Sequence, residues 1–222
     1  MKKNLTELVF ILDKSGSMSG LETDTIGGFN SLIEKQKREN VDGETYVSVV
    51  LFNQEQQVVY DRVSLQKVEP MTEQQYFVGG STALLDAVGG AIRHMERVQW
   101  YAREEERPDK VLFVITTDGY ENSSRRYSYD SVKRMIEQEK EKHNWEFLFL
   151  GANIDAVEVA GRFGIAPNRA SNYHSDRVGT RLNYEVLSKT ICRARKTEDA
   201  DDMACAIGDD WDKEIEQDFK RR

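Results

Sequence analysis

The sequence has few cysteines and no long apolar run, and both absences narrow the class of protein. Of 222 residues only Cys192 and Cys205 are cysteines, and no further Cys or His residues cluster with them. This pattern disfavours a disulfide framework and a zinc site, and it is typical of a reducing compartment. The first apolar run, Leu8–Leu12, is too short for a secretory signal or a membrane span. We therefore expect a cytoplasmic protein.

The sequence also lacks a basic stripe with interleaved aromatic residues. The net charge is −8, and most of it comes from residues 197–222, which carry ten acidic and four basic side chains. An acidic balance opposes binding to phosphate backbones and to anionic lipid. Nucleic acids and membranes are therefore poor candidates for partners.

No long Pro/Gly-rich or single-residue stretch divides the chain, and its length fits one full-sized domain. We predict a domain over residues 1–196 and an acidic C-terminal extension over residues 197–222. In the extension, apolar residues recur every four positions, which predicts one face of an amphipathic helix. These residues are Met203, Ile207, Trp211, Ile215 and Phe219. Such a helix either packs on its own domain or docks on another molecule.

Three apolar runs predict strands covered on both faces, over residues 7–12, 111–115 and 145–150. Two further strands, 46–52 and 57–63, are separated by too few residues for a crossover and should pair antiparallel, which makes one of them an edge strand. Amphipathic periodicity predicts a helix in each of the intervening segments. The predicted helices begin after Glu22 and cover 83–103, 131–142, 156–163 and 184–194, with a short extended piece at 169–173.

This alternation predicts an α/β fold with a doubly wound, mostly parallel central sheet, one antiparallel edge strand and helices on both faces. In such sheets ligands bind outside the carboxyl ends of the strands. Asp13 follows the first strand and Asp118 follows the strand at 111–115, so both carboxylates should lie at that edge.

Three short motifs lie at or near this edge. Asp13, Ser15 and Ser17 form a D-x-S-x-S pattern, Thr82 follows a glycine pair at the start of a predicted helix, and Asp118 precedes Gly119. The first motif alone is typical of ordinary turns. In this order and spacing, however, the three together resemble the metal-ion-dependent adhesion site (MIDAS) of von Willebrand factor A (VWA) domains. The resemblance extends from the first strand to about Tyr173 and is greatest to small stand-alone VWA proteins of bacteria and phages.

The resemblance implies a ligand set of three hydroxyls, from Ser15, Ser17 and Thr82, and two carboxylates, from Asp13 and Asp118, in the inner or water-bridged shell. The choice of Thr82 over Ser81 rests on the family register. Oxygen ligands without His or Cys select a hard cation, so we expect Mg²⁺, or else Mn²⁺ or Ca²⁺. Two carboxylates only neutralise the charge of such an ion. Because Mg²⁺ demands near-octahedral geometry and keeps waters, a coordination position should remain for a carboxylate of a partner protein. The predicted function is divalent-cation-dependent protein binding, without catalysis.

Two alternatives remain at the level of sequence. Aspartates at strand ends also occur in metal-assisted phosphohydrolases of doubly wound folds, but Ser15 stands where a second Asp would be needed, and a phosphate-binding G-x-x-x-x-G-K-[ST] loop is missing. In addition, no base beside Ser15 or Ser17 is identifiable that would activate a nucleophile. The acidic tail could also supply a carboxylate to the cation of a neighbouring copy, which would cause self-association.

Several other residues near these motifs have two interpretations. Asp86 either favours the dipole of its helix or supports the metal site. Glu121 and Asn122 either contact a partner or belong to a solvated loop. For Trp100 and Tyr101, at the end of a predicted helix, we expect packing rather than a binding surface.

Overall fold

The computed structural model describes residues 4–222, and its core is a six-stranded sheet with the order β3-β2-β1-β4-β5-β6. The strands are β1 (Thr6–Asp13), β2 (Thr45–Phe52), β3 (Gln56–Ser64), β4 (Lys110–Thr117), β5 (Glu146–Gly151) and β6 (Ala170–Asn172). All neighbours are parallel except β2 and β3, which pair antiparallel at one edge. The predicted fold class is confirmed.

Helices cover both faces of the sheet because successive strand residues point to opposite sides. Leu8, Phe10 and Leu12 of β1 belong to one hydrophobic cluster, whereas Val9 and Ile11 belong to the other. The first cluster packs against α1 (Glu22–Arg38), α5 (Arg177–Arg195), α6 (Met203–Ile207) and α7 (Lys213–Arg221). The second packs against α2 (Leu84–Tyr101), α3 (Tyr129–His143) and α4 (Ala156–Arg162). Within the described residues, no helix is both long and apolar enough to cross a membrane.

Helix α5 begins at Arg177, seven residues before the predicted start at 184. The side chain of Asp176 caps it by accepting a hydrogen bond from the Gly179 N–H (2.8 Å). The buried residues of the first turns are Gly179, Thr180 and Asn183 rather than an apolar stripe, so periodicity detected only the second half of the helix. The early start matters because it places the residues just before α5 at the ligand-binding edge.

The C-terminal segment forms two short helices, not one. Gly208 adopts a left-handed conformation (φ +77°) between α6 and α7, and a side chain at that φ would be strained. Met203, Ile207, Trp211 and Ile215 are nevertheless all buried in the cluster that α1 and α5 share. The segment therefore packs on its own sheet layer, while the division after residue 196 stays a prediction.

The end of α2 differs from expectation. Trp100 and Tyr101 are 78% and 80% exposed, so the prediction that they pack into the protein was wrong. Both lie in the last turn of α2, and Val98, which precedes them, is the last residue of that helix to pack on the core. They lie at the amino-terminal edge of the parallel strands, opposite the candidate site.

Candidate metal centre

The two predicted carboxylates lie side by side because their strands are adjacent. In the register of β1 and β4, Leu12 pairs with Thr116, which brings Asp13 level with the residues just before Asp118. The strand order reverses between β1 and β4, so this is the topological switch point of the sheet. A crevice at the switch point is where doubly wound sheets bind ligands.

The Asp13 carboxylate is fully buried but hydrogen-bonded at both oxygens. Oδ1 accepts from the Ser15 N–H (2.6 Å), and Oδ2 accepts from the Thr117 hydroxyl (2.6 Å). Burial raises the pKa of Asp13, and the hydrogen bonds from Thr117 and Ser15 partly offset that increase. The Tyr76 hydroxyl donates to the Asp13 carbonyl, which fixes the backbone at the same position.

Ser15 and Ser17 lie at a single turn of 3₁₀ helix, Gly16–Met18. Their hydroxyl oxygens are 3.0 Å apart. Ser15 is buried whereas Ser17 is exposed, so the pair reaches from the protein interior to the surface. A ligand held between these hydroxyls would be accessible from solvent on the Ser17 side.

Thr82 lies two residues before α2 and is buried. Its N–H donates to the Asn122 side chain (2.9 Å), and its carbonyl accepts from the Asn122 N–H (3.0 Å). The hydroxyls of Ser17 and Thr82 both face Gly119. A Cβ built on Gly119 would be 3.1 Å from Ser17 Oγ and 3.6 Å from Thr82 Oγ1. Ser17 and Thr82 therefore meet beside the Asp118–Gly119 turn, and the Ser15 hydroxyl lies next to that of Ser17.

Asp118 is 2% exposed, and two side chains that we did not predict hold its carboxylate. Asn153 Nδ2 donates to Oδ1, and the Ser175 hydroxyl donates to Oδ2. Burial raises the pKa of Asp118, the two hydrogen bonds lower it, and the nearby Asp13 carboxylate raises it further. Asn153 has a left-handed backbone (φ +54°), a conformation that is uncommon outside glycine and tends to occur at functional sites.

Backbone hydrogen bonds join the loops that carry these residues into one unit. The Gly16 N–H donates to the Gly80 carbonyl and the Gly79 N–H to the Lys14 carbonyl, both at 2.9 Å. The loop of Asp118 joins that of Thr82 through Asn122. The positions of the hydroxyls and carboxylates are thus fixed by the protein itself.

The residues with two sequence interpretations have structural roles. Asp86 accepts hydrogen bonds from the N–H groups of Arg125, Arg126 and Tyr127, so it anchors the loop after Asp118 rather than serving only its helix. Glu121 accepts from the Leu85 N–H (2.9 Å) and thereby caps α2 from outside. Asn122 holds Thr82, as described above.

A comparison with protein-family models decides the family. The model of the von Willebrand factor type A domain matches residues 7–179, which is more than half of the chain. The chain belongs to the VWA domain family. A search of the curated proteins found no match for this VWA domain.

Solved structures share the VWA fold at low sequence identity. Proximal thread matrix protein 1 from the mussel byssus is 18% identical with a TM-score of 0.57, and the match covers 85% of this chain and 46% of that one. A structure of the same mussel protein with a zinc-occupied MIDAS motif is 17% identical, with a TM-score of 0.56 over 84% and 46% of the two chains. The ArnB paralog VWA2 from Sulfolobus acidocaldarius is 18% identical, with a TM-score of 0.51 over 84% and 45%. This chain thus spans about half the length of these proteins, and the likeness concerns the fold alone.

The residues of this VWA domain fit a hard divalent cation. In residues 4–222 no group of three or more His, Cys, Asp or Glu side chains is arranged to hold a metal. Any cation here would therefore need the hydroxyls beside the two carboxylates, and such an all-oxygen set suits Mg²⁺, Mn²⁺ or Ca²⁺. The space beside Gly119 is small, because a methyl group on Gly119 would lie 3.1 Å from Ser17 Oγ, and a space of this size suits a compact ion.

Proposed function

We propose that this VWA domain binds a partner protein through a divalent cation held by Asp13, Ser15, Ser17, Thr82 and Asp118. The observation that carries the proposal is the space at Gly119, where the hydroxyls of Ser17 and Thr82 meet the turn after Asp118. The hydroxyls would coordinate the ion, and the carboxylates would balance its charge in the inner or water-bridged shell. A bound cation would supply positive charge and an open coordination position for an Asp or Glu of the partner.

Mg²⁺ is our first choice among the cations, because it tolerates few protein ligands and keeps other positions for water or an incoming oxygen. The zinc in the mussel protein is a property of that protein. VWA domains generally lack enzymatic activity, and we propose the same here. We also propose a cytoplasmic setting, on the basis of the two isolated thiols.

The metal is tested by titrating MgCl₂ while following thermal unfolding. At a Mg²⁺ concentration ten times the Kd, binding should stabilise the protein by about 1.4 kcal/mol. For a chain of this length, that corresponds to a rise in Tm of roughly 3–5 °C. Asp13→Ala should abolish the rise, whereas Asp42→Asn, at an exposed carboxylate before β2, should retain it. Equal Mg²⁺ responses in the wild type and Asp13→Ala would refute the metal site.

The partner is tested by capture from a native lysate with immobilised protein in Mg²⁺ or in EDTA. We expect a protein that is retained only in Mg²⁺ and is not retained by Asp118→Ala. Hydrolysis of p-nitrophenyl phosphate that requires Mg²⁺ and is lost in Asp13→Asn would instead favour the phosphohydrolase alternative. A Mg²⁺-dependent dimer in sedimentation would indicate that an acidic residue of a second copy is the ligand, with the acidic tail as the first candidate.

A further inference from the structure

Large apolar side chains on the surface of this domain are concentrated around the candidate metal centre. Among the described residues eight are exposed, and three of them lie elsewhere: Trp100, Tyr101 and Val58. Four of the other five lie within five residues, along the chain, of a predicted ligand or of a side chain that holds one, and the fifth, Phe219, stacks on His174 beside Ser175. We call these five the apolar rim; they are Phe77, Tyr120, Val157, Val178 and Phe219.

Phe77 belongs to the segment that crosses the carboxyl ends of β1 and β2. Its neighbour Tyr76 is buried, with the hydroxyl on the Asp13 carbonyl, and Gly79 is hydrogen-bonded to Lys14 and Asn53. Phe77 itself is 76% exposed. The same segment that fixes the backbone at Asp13 therefore presents a bare phenyl ring at the surface.

Tyr120 follows Gly119 directly and is 56% exposed. The residues after it are immobilised, since Glu121 caps α2 and Asn122 binds Thr82. Tyr120 is thus held between two anchored positions, one of them Asp118. Because the backbone is anchored here, only the side-chain torsions of Tyr120 lose freedom when a partner covers the ring.

The other three members of the apolar rim lie close to the residues that hold Asp118, two of them along the chain and one through a neighbouring ring. Val157 lies in the first turn of α4, four residues after Asn153, and Val178 lies three residues after Ser175. Phe219 of α7 stacks its ring on His174, the neighbour of Ser175, with 4.7 Å between ring centroids. These residues belong to three different elements, all at the same edge of the sheet.

One carboxylate on the cation leaves most of a partner segment in water, whereas exposed apolar groups around it can exclude solvent and add hydrophobic free energy. Exposed apolar side chains concentrated at one edge of a domain are typical of a protein interaction site. We infer that the partner segment carries its Asp or Glu between large apolar side chains, which cover Phe77 and Tyr120 when the carboxylate reaches the cation. This inference rests on the proposed function and specifies the chemistry of the partner.

Chemical complementarity favours this occupant over a purely acidic segment. A run of carboxylates would satisfy the cation but would leave the apolar rim in contact with water. One carboxylate with apolar neighbours matches both features at once.

The test uses a displayed library of random 12-residue peptides, selected against the full chain in Mg²⁺ and eluted with EDTA. We expect enrichment of one Asp or Glu with large apolar residues within two positions of it. A parallel selection against the double variant Phe77→Ser/Tyr120→Ser should still enrich the acidic residue but lose the apolar preference. A Mg²⁺ titration of the double variant by calorimetry should give the wild-type affinity, because neither ring is a metal ligand.

An enriched peptide is then measured by fluorescence anisotropy. Phe77→Ser and Tyr120→Ser should each weaken its binding by roughly tenfold, as expected for aromatic residues at the centre of an interface. Trp100→Ser, at an equally exposed aromatic residue on the opposite edge, is the matched control and should have no effect.

The outcomes separate the two proposals. Acidic peptides without an apolar preference would overturn the role of the apolar rim and leave the proposed function standing. No EDTA-dependent enrichment of acidic residues would overturn both. A Mg²⁺-dependent dimer that Phe77→Ser disrupts would show that a second copy covers the rim, and would overturn the inference of a separate partner.

Discussion

At the scale of single residues, the candidate centre depends on the small size of Gly119 and on hydrogen bonds to two buried carboxylates. Gly119 does not require a left-handed backbone, so its lack of a side chain matters for space rather than for conformation. Asp118 depends on Asn153 and Ser175, which are 35 and 57 residues away in the chain. The geometry of the centre is therefore distributed over several loops.

Gly119→Ala tests the space directly. Its Cβ would lie 3.1 Å from Ser17 Oγ, so the hydroxyl must shift and Mg²⁺ affinity should fall by roughly tenfold, equivalent to about 1.4 kcal/mol. Gly79→Ala is the matched control, because a Cβ there meets nothing within 4 Å and the residue belongs to the same group of loops. Calorimetric titration of both variants measures the difference. Equal affinities would place the cation elsewhere.

At the scale of elements, one buried lysine joins the start of β4 to the end of α5. Lys110 is fully buried, and its ammonium group donates to the carbonyl of Arg195 (2.9 Å) and to that of Thr197 (2.5 Å). Carbonyls at a helix C-terminus lack intrahelical partners and attract a cation. Burial nevertheless lowers the pKa of Lys110 to about 8, because desolvation disfavours its charged form.

This lowered pKa predicts a pH dependence of stability. Between pH 8 and 10.5, Lys110 is protonated in the unfolded chain but neutral in the folded one, so the free energy of unfolding should rise with pH. The rise from this group amounts to at most roughly 3 kcal/mol. Urea unfolding of the wild type and of Lys110→Met at pH 7, 8, 9 and 10 isolates the contribution of Lys110 to the free energy of unfolding, because the other titrating groups are common to both proteins. Parallel pH profiles would contradict the assignment.

At the scale of the whole molecule, the C-terminal segment completes a core layer. Trp211 is 4% exposed, and its indole N–H donates to the Asn168 carbonyl (3.0 Å) beside β6. Ile215 is buried in the same layer, and Arg222 pairs with Asp176, the cap of α5. Most acidic residues of the segment are exposed, whereas Met203, Ile207, Trp211 and Ile215 face the sheet.

Trp211→Ala should therefore destabilise the whole domain by about 3–5 kcal/mol, as expected for removal of a large buried side chain. Phe219→Ala, at a half-exposed aromatic of the same segment, should cost less than about 1 kcal/mol and serves as the control. Urea unfolding monitored by circular dichroism gives both values. A loss below 1 kcal/mol for Trp211→Ala would support an extension separate from the domain at residue 196.

The sequence predicted much of the fold because burial leaves a local pattern. The continuous apolar runs of β1, β4 and β5 are what a strand covered on both faces needs, and each of them was located within two residues of its bounds. The start of α5 was missed because the buried residues of its first turns, Gly179, Thr180 and Asn183, are not apolar. Trp100 and Tyr101 were misjudged because an aromatic residue in the last turn of a helix has the same local pattern whether it is covered or bare.

By itself, the sequence determined the fold class, the strand ends that carry Asp13 and Asp118, and the oxygen character of the candidate ligands. Thr82 was assigned as a metal ligand only because of the family resemblance. The tertiary structure alone decided that Asn153 and Ser175 hold Asp118, that the C-terminal segment closes a core layer, and that exposed apolar side chains of several elements lie at the same edge as the centre. The reason is physical: hydrophobic periodicity records burial along one element, whereas contacts between distant loops depend on the path of the chain across the sheet.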